Sequence, residues 1–220
     1  MKRIFAFACA AIALQTACNL KQTNQQKLPI LGNRTSVTKT VDGKTVTDTT
    51  YQTIPPFKFI NQYGDSINNK SLDGKIYVAD FFFTTCPSIC PVMHRNMLKV
   101  YNAFKNDGDF KIISYSIDPR HDSVAVLKKY ADGLGISGNT WWLLQGSKDE
   151  TYQLAKSYLM GVAETKGENG GYTHDGYFIL IDKQKHIRGS VYNGTNPDDV
   201  DKLIADIKTL KQEPEQTIAQ

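Results

Sequence analysis

The sequence predicts an α/β domain: a central mixed sheet flanked by helices, with an N-terminal β-hairpin extension. Three observations predict it. From Ile76 onward, short apolar β-favouring runs alternate with segments of helical character. Tyr77 to Phe83 is apolar throughout except at Asp80, the pattern of a central strand covered on both faces. Directly after that run comes Cys86-Pro87-Ser88-Ile89-Cys90-Pro91, at the first strand-to-helix junction.

The chain opens on an address. Lys2 and Arg3 precede the apolar stretch Ile4 to Leu14, the build of a signal peptide. The stretch falls short of the roughly 20 apolar residues a spanning helix needs. Leu14-Gln15-Thr16-Ala17-Cys18 resembles a bacterial lipoprotein cleavage site, although its Leu stands four places before the cysteine and not the usual three. Residues 1–17 are therefore read as a signal peptide and Cys18 as the lipidated first residue of the mature chain. The alternative is an ordinary secretory signal cut near Ala17. Either way the mature protein works outside the cytoplasm, and a lipid would tether it to a membrane, facing the periplasm.

Asn19 to Lys27 is polar, rich in Gln and Asn and without apolar period, which predicts a spacer. Val37 to Val41 and Thr45 to Thr47 flank Asp42-Gly43, a turn pair between β-favouring segments, and so predict a hairpin. Residues 18–50 thus hold the lipidated N-terminus, linker and hairpin. Residues 51–212 form the domain, and 213–220 a polar tail. Ile54-Pro55-Pro56 breaks the pattern, after which Phe57-Lys58-Phe59 and a turn at Gly64 predict short strands.

Within the domain, Tyr77 to Phe83 is followed by a helix from Pro87 to Phe104, with the proline in its first turn. Lys111 to Ile117 is the next strand. Asp122 to Leu134 is a helix capped by Asp122 or Ser123 and closed by Gly135. Trp141 to Leu144 is a strand, with one ring expected buried and one exposed, and Asp149 to Tyr158 is a helix. Tyr177 to Ile181 and His186 to Tyr192 form a hairpin around Asp182-Lys183, and Asp198 to Leu210 is the closing helix. This order, with a cysteine pair at the first strand-to-helix junction, is that of a thioredoxin-like domain.

Composition narrows the function classes. The formal charge of +4 falls by two when Lys2 and Arg3 are removed, and no run of five basic residues occurs, so no nucleic acid is expected as partner. No long apolar run follows Cys18, which argues against further membrane spans.

Of the four cysteines, Cys9 lies in the targeting segment and Cys18 at its end, which leaves Cys86 and Cys90 as free thiols. At i and i+4 on a helix they would face one side, with Cα atoms about 6 Å apart. That separation permits a disulfide. It also lets both sulfurs reach one metal at about 2.3 Å. A cysteine at a helix N-terminus is acidified, so Cys86 should have thiolate character. Redox pair and soft-metal site both remain open on these grounds.

A soft ion held by two thiolates takes an imidazole well. His94 lies eight residues from Cys86, about 12 Å along a continuous helix, and reads as a helix-surface residue. His121 reads as a solvated loop residue and His186 as an exposed turn residue. His174, after Gly170-Gly171, sits on a loop able to swing, and is the best placed of the four. Met93 and Met97 read as core residues, and Lys128-Lys129 and Asp198-Asp199 as solvated helix surface and cap.

Phe83-Thr84-Thr85-Cys86-Pro87-Ser88-Ile89-Cys90-Pro91, Ser116-Ile117-Asp118-Pro119-Arg120-His121-Asp122 and Thr173-His174-Asp175-Gly176-Tyr177 together resemble the Sco/SenC family, over about residues 50–212. Members are thioredoxin-like, membrane-tethered proteins that bind copper and help metallate the binuclear copper centre of cytochrome c oxidase. The resemblance implies Cys86, Cys90 and His174 as ligands of Cu(I), with Cu(II) also accommodated. It gives Asp118 a place as an outer partner of the site or part of a docking surface, beside the plain reading of an Asp opening a Pro turn. The implied partners are a copper-receiving subunit of cytochrome c oxidase or another cuproprotein, and a thiol reductant. The alternatives are a thiol–disulfide oxidoreductase independent of copper, using the same two cysteines, and a peroxide-reducing thiol enzyme.

Overall fold

The computed structural model describes residues 27–165 and 169–214. The signal peptide, Cys18, nearly all of the spacer and most of the polar tail lie outside the described residues. In chain order the elements are β1 (Ile30–Leu31), β2 (Arg34–Val41), β3 (Lys44–Tyr51), β4 (Lys58–Asn61), β5 (Ser66–Asn68), β6 (Ile76–Phe82), α1 (Cys90–Phe104), β7 (Phe110–Ser116), α2 (Val124–Leu134), β8 (Trp141–Gln145), α3 (Lys148–Ser157), β9 (Val162–Glu164), β10 (Tyr172–His174), β11 (Tyr177–Ile181), β12 (Ile187–Asn193) and α4 (Pro197–Gln212).

One sheet of eight strands runs in the order β1-β12-β11-β6-β7-β8-β4-β5. Strands β6, β7 and β8 are parallel, and the remaining neighbours pair antiparallel. This is the mixed sheet expected. Every residue of β6 is buried, because β7 and β11 flank it and helices cover the sheet. Helix α1 packs on α4, and α2 on β8.

The hairpin β2–β3 is a separate two-stranded sheet. Asp42 and Gly43 both hold positive φ, 49° and 75°, as a two-residue turn matched to strand twist requires. One face of the hairpin carries a hydroxyl ladder, Ser36 to Thr49 at 3.0 Å and Thr38 to Thr47 at 3.2 Å.

Several local expectations need correction. Helix α1 begins at Cys90, not Pro87. Had it begun at Pro87, Pro91 would sit past the first turn, lacking the N–H owed to the Pro87 carbonyl and crowding it; starting at Cys90 puts Pro91 where no donor is needed. His94 is not on the surface but fully buried, since Asp80, the polar break in β6, needs a donor inside the protein. His186 is only 15% exposed in its side chain, with Nδ1 3.3 Å from Asp182 Oδ2. Both Trp141 and Trp142 are buried, because β8 is an interior strand; Lys111 Nζ lies 4.7 Å from the centre of the Trp142 ring. Ser123 caps α2, its Oγ accepting from Val126 N, and Asn196 caps α4. Met93 and Met97 are core residues, as expected.

One strand in from the sheet edge, buried Arg188 gathers both ends of the domain. Its guanidinium donates to Asp182 Oδ2 at 3.0 Å, Glu213 Oε2 at 2.5 Å and the Leu28 carbonyl at 2.9 Å. The Leu28 N–H in turn donates to Glu213 Oε1 at 2.8 Å.

Candidate metal centre

The C-terminal end of β6 delivers the chain to Phe83, whose carbonyl accepts the Cys86 N–H at 3.2 Å. This turn is pinned from below by Asp122, fully buried. Its carboxylate accepts from Thr84 N at 3.1 Å, Thr84 Oγ1 at 2.5 Å and Ser116 Oγ at 2.5 Å. Cys86 therefore sits in a loop held to the end of β7, and Cys90 opens α1. The sequence offered Asp122 only as a helix cap; its role in anchoring the cysteine loop follows from the parallel pairing of β6 and β7, which no local pattern encodes.

His174 ends β10, which pairs antiparallel with β9 through Tyr172↔Glu164 and His174↔Val162. Its Nε2 lies 3.0 Å from Cys90 Sγ. Its Nδ1 lies 3.0 Å from the Asp175 carbonyl, and donation there leaves Nε2 as the nitrogen facing the sulfurs. Phe83 packs edge-on to the His174 ring at 6.1 Å and against Tyr172 at 5.3 Å. Gly170 holds φ at +73°, and a Cβ there would come within 2.9 Å of the Phe83 ring, so glycine lets the backbone lie against that ring.

Asp118 does not touch the sulfurs. Its carboxylate accepts from the Tyr172 hydroxyl at 2.8 Å, and Arg120 Nη2 donates to the same hydroxyl at 2.8 Å. Arg120 Nη2 also reaches Glu164 Oε1 at 3.1 Å. Asp118 and Arg120 thus hold both strands of the hairpin that carries His174. His121 is half exposed, beside Asp122 at 3.1 Å, and His94 points away into the core.

The ligand atoms of Cys86, Cys90 and His174 all lie within 4.8 Å of one another, and all three residues are buried. A modest side-chain adjustment would bring them to the roughly 2.0–2.3 Å that N and S donors keep from a metal. The two thiols are differentiated. Burial works to raise Cys86, but hydrogen bonds from His174, from Cys90 and from the backbone N–H groups of Cys90 and Ser88 outweigh it and bring its pKa down to about 6. Cys90 is pushed well above the ordinary thiol value, chiefly by burial and then by its bond to Cys86.

The chain is similar in sequence and fold to proteins of known structure. A crystal structure of a SCO1/SenC family lipoprotein from Bacillus anthracis str. Ames is 32% identical, with a TM-score of 0.67, and the match covers 73% of this chain and 96% of that one. BsSco, a member of the Sco family of cytochrome c oxidase assembly proteins in which a disulfide switch was identified, is 31% identical with a TM-score of 0.64, over 74% and 95% of the two chains. The ScoI structure of Arabidopsis thaliana with copper bound is 26% identical with a TM-score of 0.60, over 72% and 98%. The model of the SCO1/SenC family matches residues 45–212, and so takes in both cysteines and His174. With its thioredoxin-like fold, the chain belongs to the SCO1/SenC family.

Proposed function

We propose that the protein binds one copper ion through Cys86, Cys90 and His174 and passes it to a copper-receiving subunit of cytochrome c oxidase or another cuproprotein. One observation carries this reading. Among the described residues, those three form the one group of three or more potential ligands whose donor atoms converge. Two thiolates and an imidazole are a soft donor set that suits Cu(I) over a hard cation. Copper bound in ScoI of Arabidopsis thaliana and the assembly role given for the family of BsSco support it. Cu(II) would take a further oxygen or nitrogen donor. A disulfide between Cys86 and Cys90 would remove both thiolates, so a thiol reductant must act before loading.

The test is a Cu(I) titration of the reduced protein against a competing chelator. One tightly held ion per chain is expected, weakened by at least about 10-fold in His174→Ala, since losing a ligand costs no less than losing the group that orients one, with none bound by the disulfide form. Unchanged affinity in His174→Ala would sink the three-ligand site.

A second reading, reduction of a partner's disulfide, is favoured by the split between the two thiols, a low-pKa Cys86 to attack and a protonated Cys90 to resolve. The N-terminal sequence and the lipoprotein of Bacillus anthracis support an extracytoplasmic protein anchored through Cys18. Mass spectrometry of membrane-extracted chain should find a lipid on Cys18 as residue one; an unmodified N-terminus beyond Cys18 would refute the anchor.

A further inference from the structure

A groove of about 670 Å³ opens beside the cysteines, between the first turn of α1 and the length of α2. Thr84 and Pro91, which bracket the cysteine loop, form its near end. Val126, Tyr130 and Leu134 give it apolar walls, and the Tyr130 hydroxyl is engaged with His94 Nδ1 at 2.9 Å. Arg95 and Lys129 are exposed on its rim, His121 stands with them, and no carboxylate lines it. Neighbouring Lys128 is paired with Asp132 at 2.7 Å, whereas neither Arg95 nor Lys129 has an ion-pair partner among the described residues.

We propose that this groove docks an apolar, acidic segment of the partner protein, its aliphatic side chains against Val126, Tyr130 and Leu134 and its carboxylates against Arg95 and Lys129. The inference rests on the reading that Cys86 and Cys90 serve a protein partner. Two features select this occupant. Unpaired cations with no competing carboxylate complement negative charge and speed encounter with it. The recessed apolar walls admit a chain segment, which a flat lipid surface could not supply. A segment seated there ends at Thr84 and Pro91, and so presents adjoining thiols or copper ligands to Cys86.

The test follows backbone amide signals of the reduced, isotope-labelled protein as two peptides are added, acetyl-Leu-Glu-Leu-Asp-Leu-amide and acetyl-Leu-Lys-Leu-Lys-Leu-amide. The acidic peptide should shift Thr84, Val126, Lys129 and Leu134 and saturate at about tenfold lower concentration than the basic one. The double variant Arg95→Glu with Lys129→Glu should invert that preference. Its Cu(I) affinity should match that of the unaltered protein, which keeps failure of the groove separate from failure of the metal site. Equal response to both peptides, shifts confined elsewhere, a preference that survives charge reversal, or the same groove signals moved only by anionic phosphatidylglycerol vesicles would each overturn the proposal.

Discussion

Replacing His94 with alanine should destabilise the protein by about 3–5 kcal/mol, the range for emptying an aromatic-sized core site and leaving a buried carboxylate short of its donor. Asp80 and His94 are both fully inaccessible, with His94 Nε2 3.1 Å from Asp80 Oδ2. Ser114 donates to the other carboxylate oxygen at 2.5 Å, and Trp141 Nε1 donates to the same hydroxyl at 2.9 Å. On the far side of the imidazole, the Tyr130 hydroxyl lies 2.9 Å from Nδ1. Alanine strips the carboxylate of its ring donor, removes the partner of the Tyr130 hydroxyl and opens a cavity. Urea denaturation at neutral pH reads the loss directly. Pairing His94→Leu with Asp80→Val should recover part of it, because the space is refilled and no carboxylate is left short of a donor, while the Ser114 and Tyr130 hydroxyls still lose their partners. A loss below about 1 kcal/mol for the single variant would show that Asp80 is not held as a buried acceptor.

At pH 7 iodoacetamide should modify Cys86 more than about a hundredfold faster than Cys90, since only the thiolate reacts. The rate at Cys86 should rise with a midpoint near its pKa of about 6, and Cys90, lifted by burial, should stay protonated through neutral pH. His174→Ala removes one of the hydrogen bonds that lower Cys86 and should move the midpoint upward towards 9.0. The same shifts act on stability, with opposite signs. The depressed Cys86 favours the folded, reduced protein fully above pH 9.0, and that contribution fades as pH falls towards about 6. The raised Cys90 contributes fully below 9.0, and its share is lost as pH rises beyond that value. Equal reactivity of the two thiols, measured by mass spectrometry of the alkylated peptides, would show that the loop does not polarise them.

What the sequence revealed divides along the distance over which each feature is determined. The cysteine pair, the Asp42-Gly43 turn, the buried run of β6 and the Ser123 cap are local patterns, and the structure places them within a residue or two. The start of α1 was misjudged because two prolines competed for the first turn and only Pro91 could occupy it. His94 was misplaced because its partner, Asp80, lies on another element; the polar break in β6 was visible, but the residue that would answer it was not. Trp142 is buried by its strand's interior place in the sheet order, which periodicity does not fix. The pair β9–β10 was missed because each strand has three residues, too few to show alternation. His174 could be singled out by family resemblance, and the Tyr172 hydroxyl that ties its hairpin to Asp118 by nothing in the sequence.

The Arg188 cluster has a mechanical meaning. Strand pairing sets Arg188 opposite Leu180 and Leu180 opposite Val78, towards the start of β6, while the cysteine loop leaves from its finish. A pull on the chain before Lys27 would enter the domain at Leu28, whose N–H and carbonyl are gripped by Glu213 and Arg188. The load would pass into β12 and α4 at one pole of the sheet, and the hairpin carrying His174, at the other pole, would lie outside the path of the force.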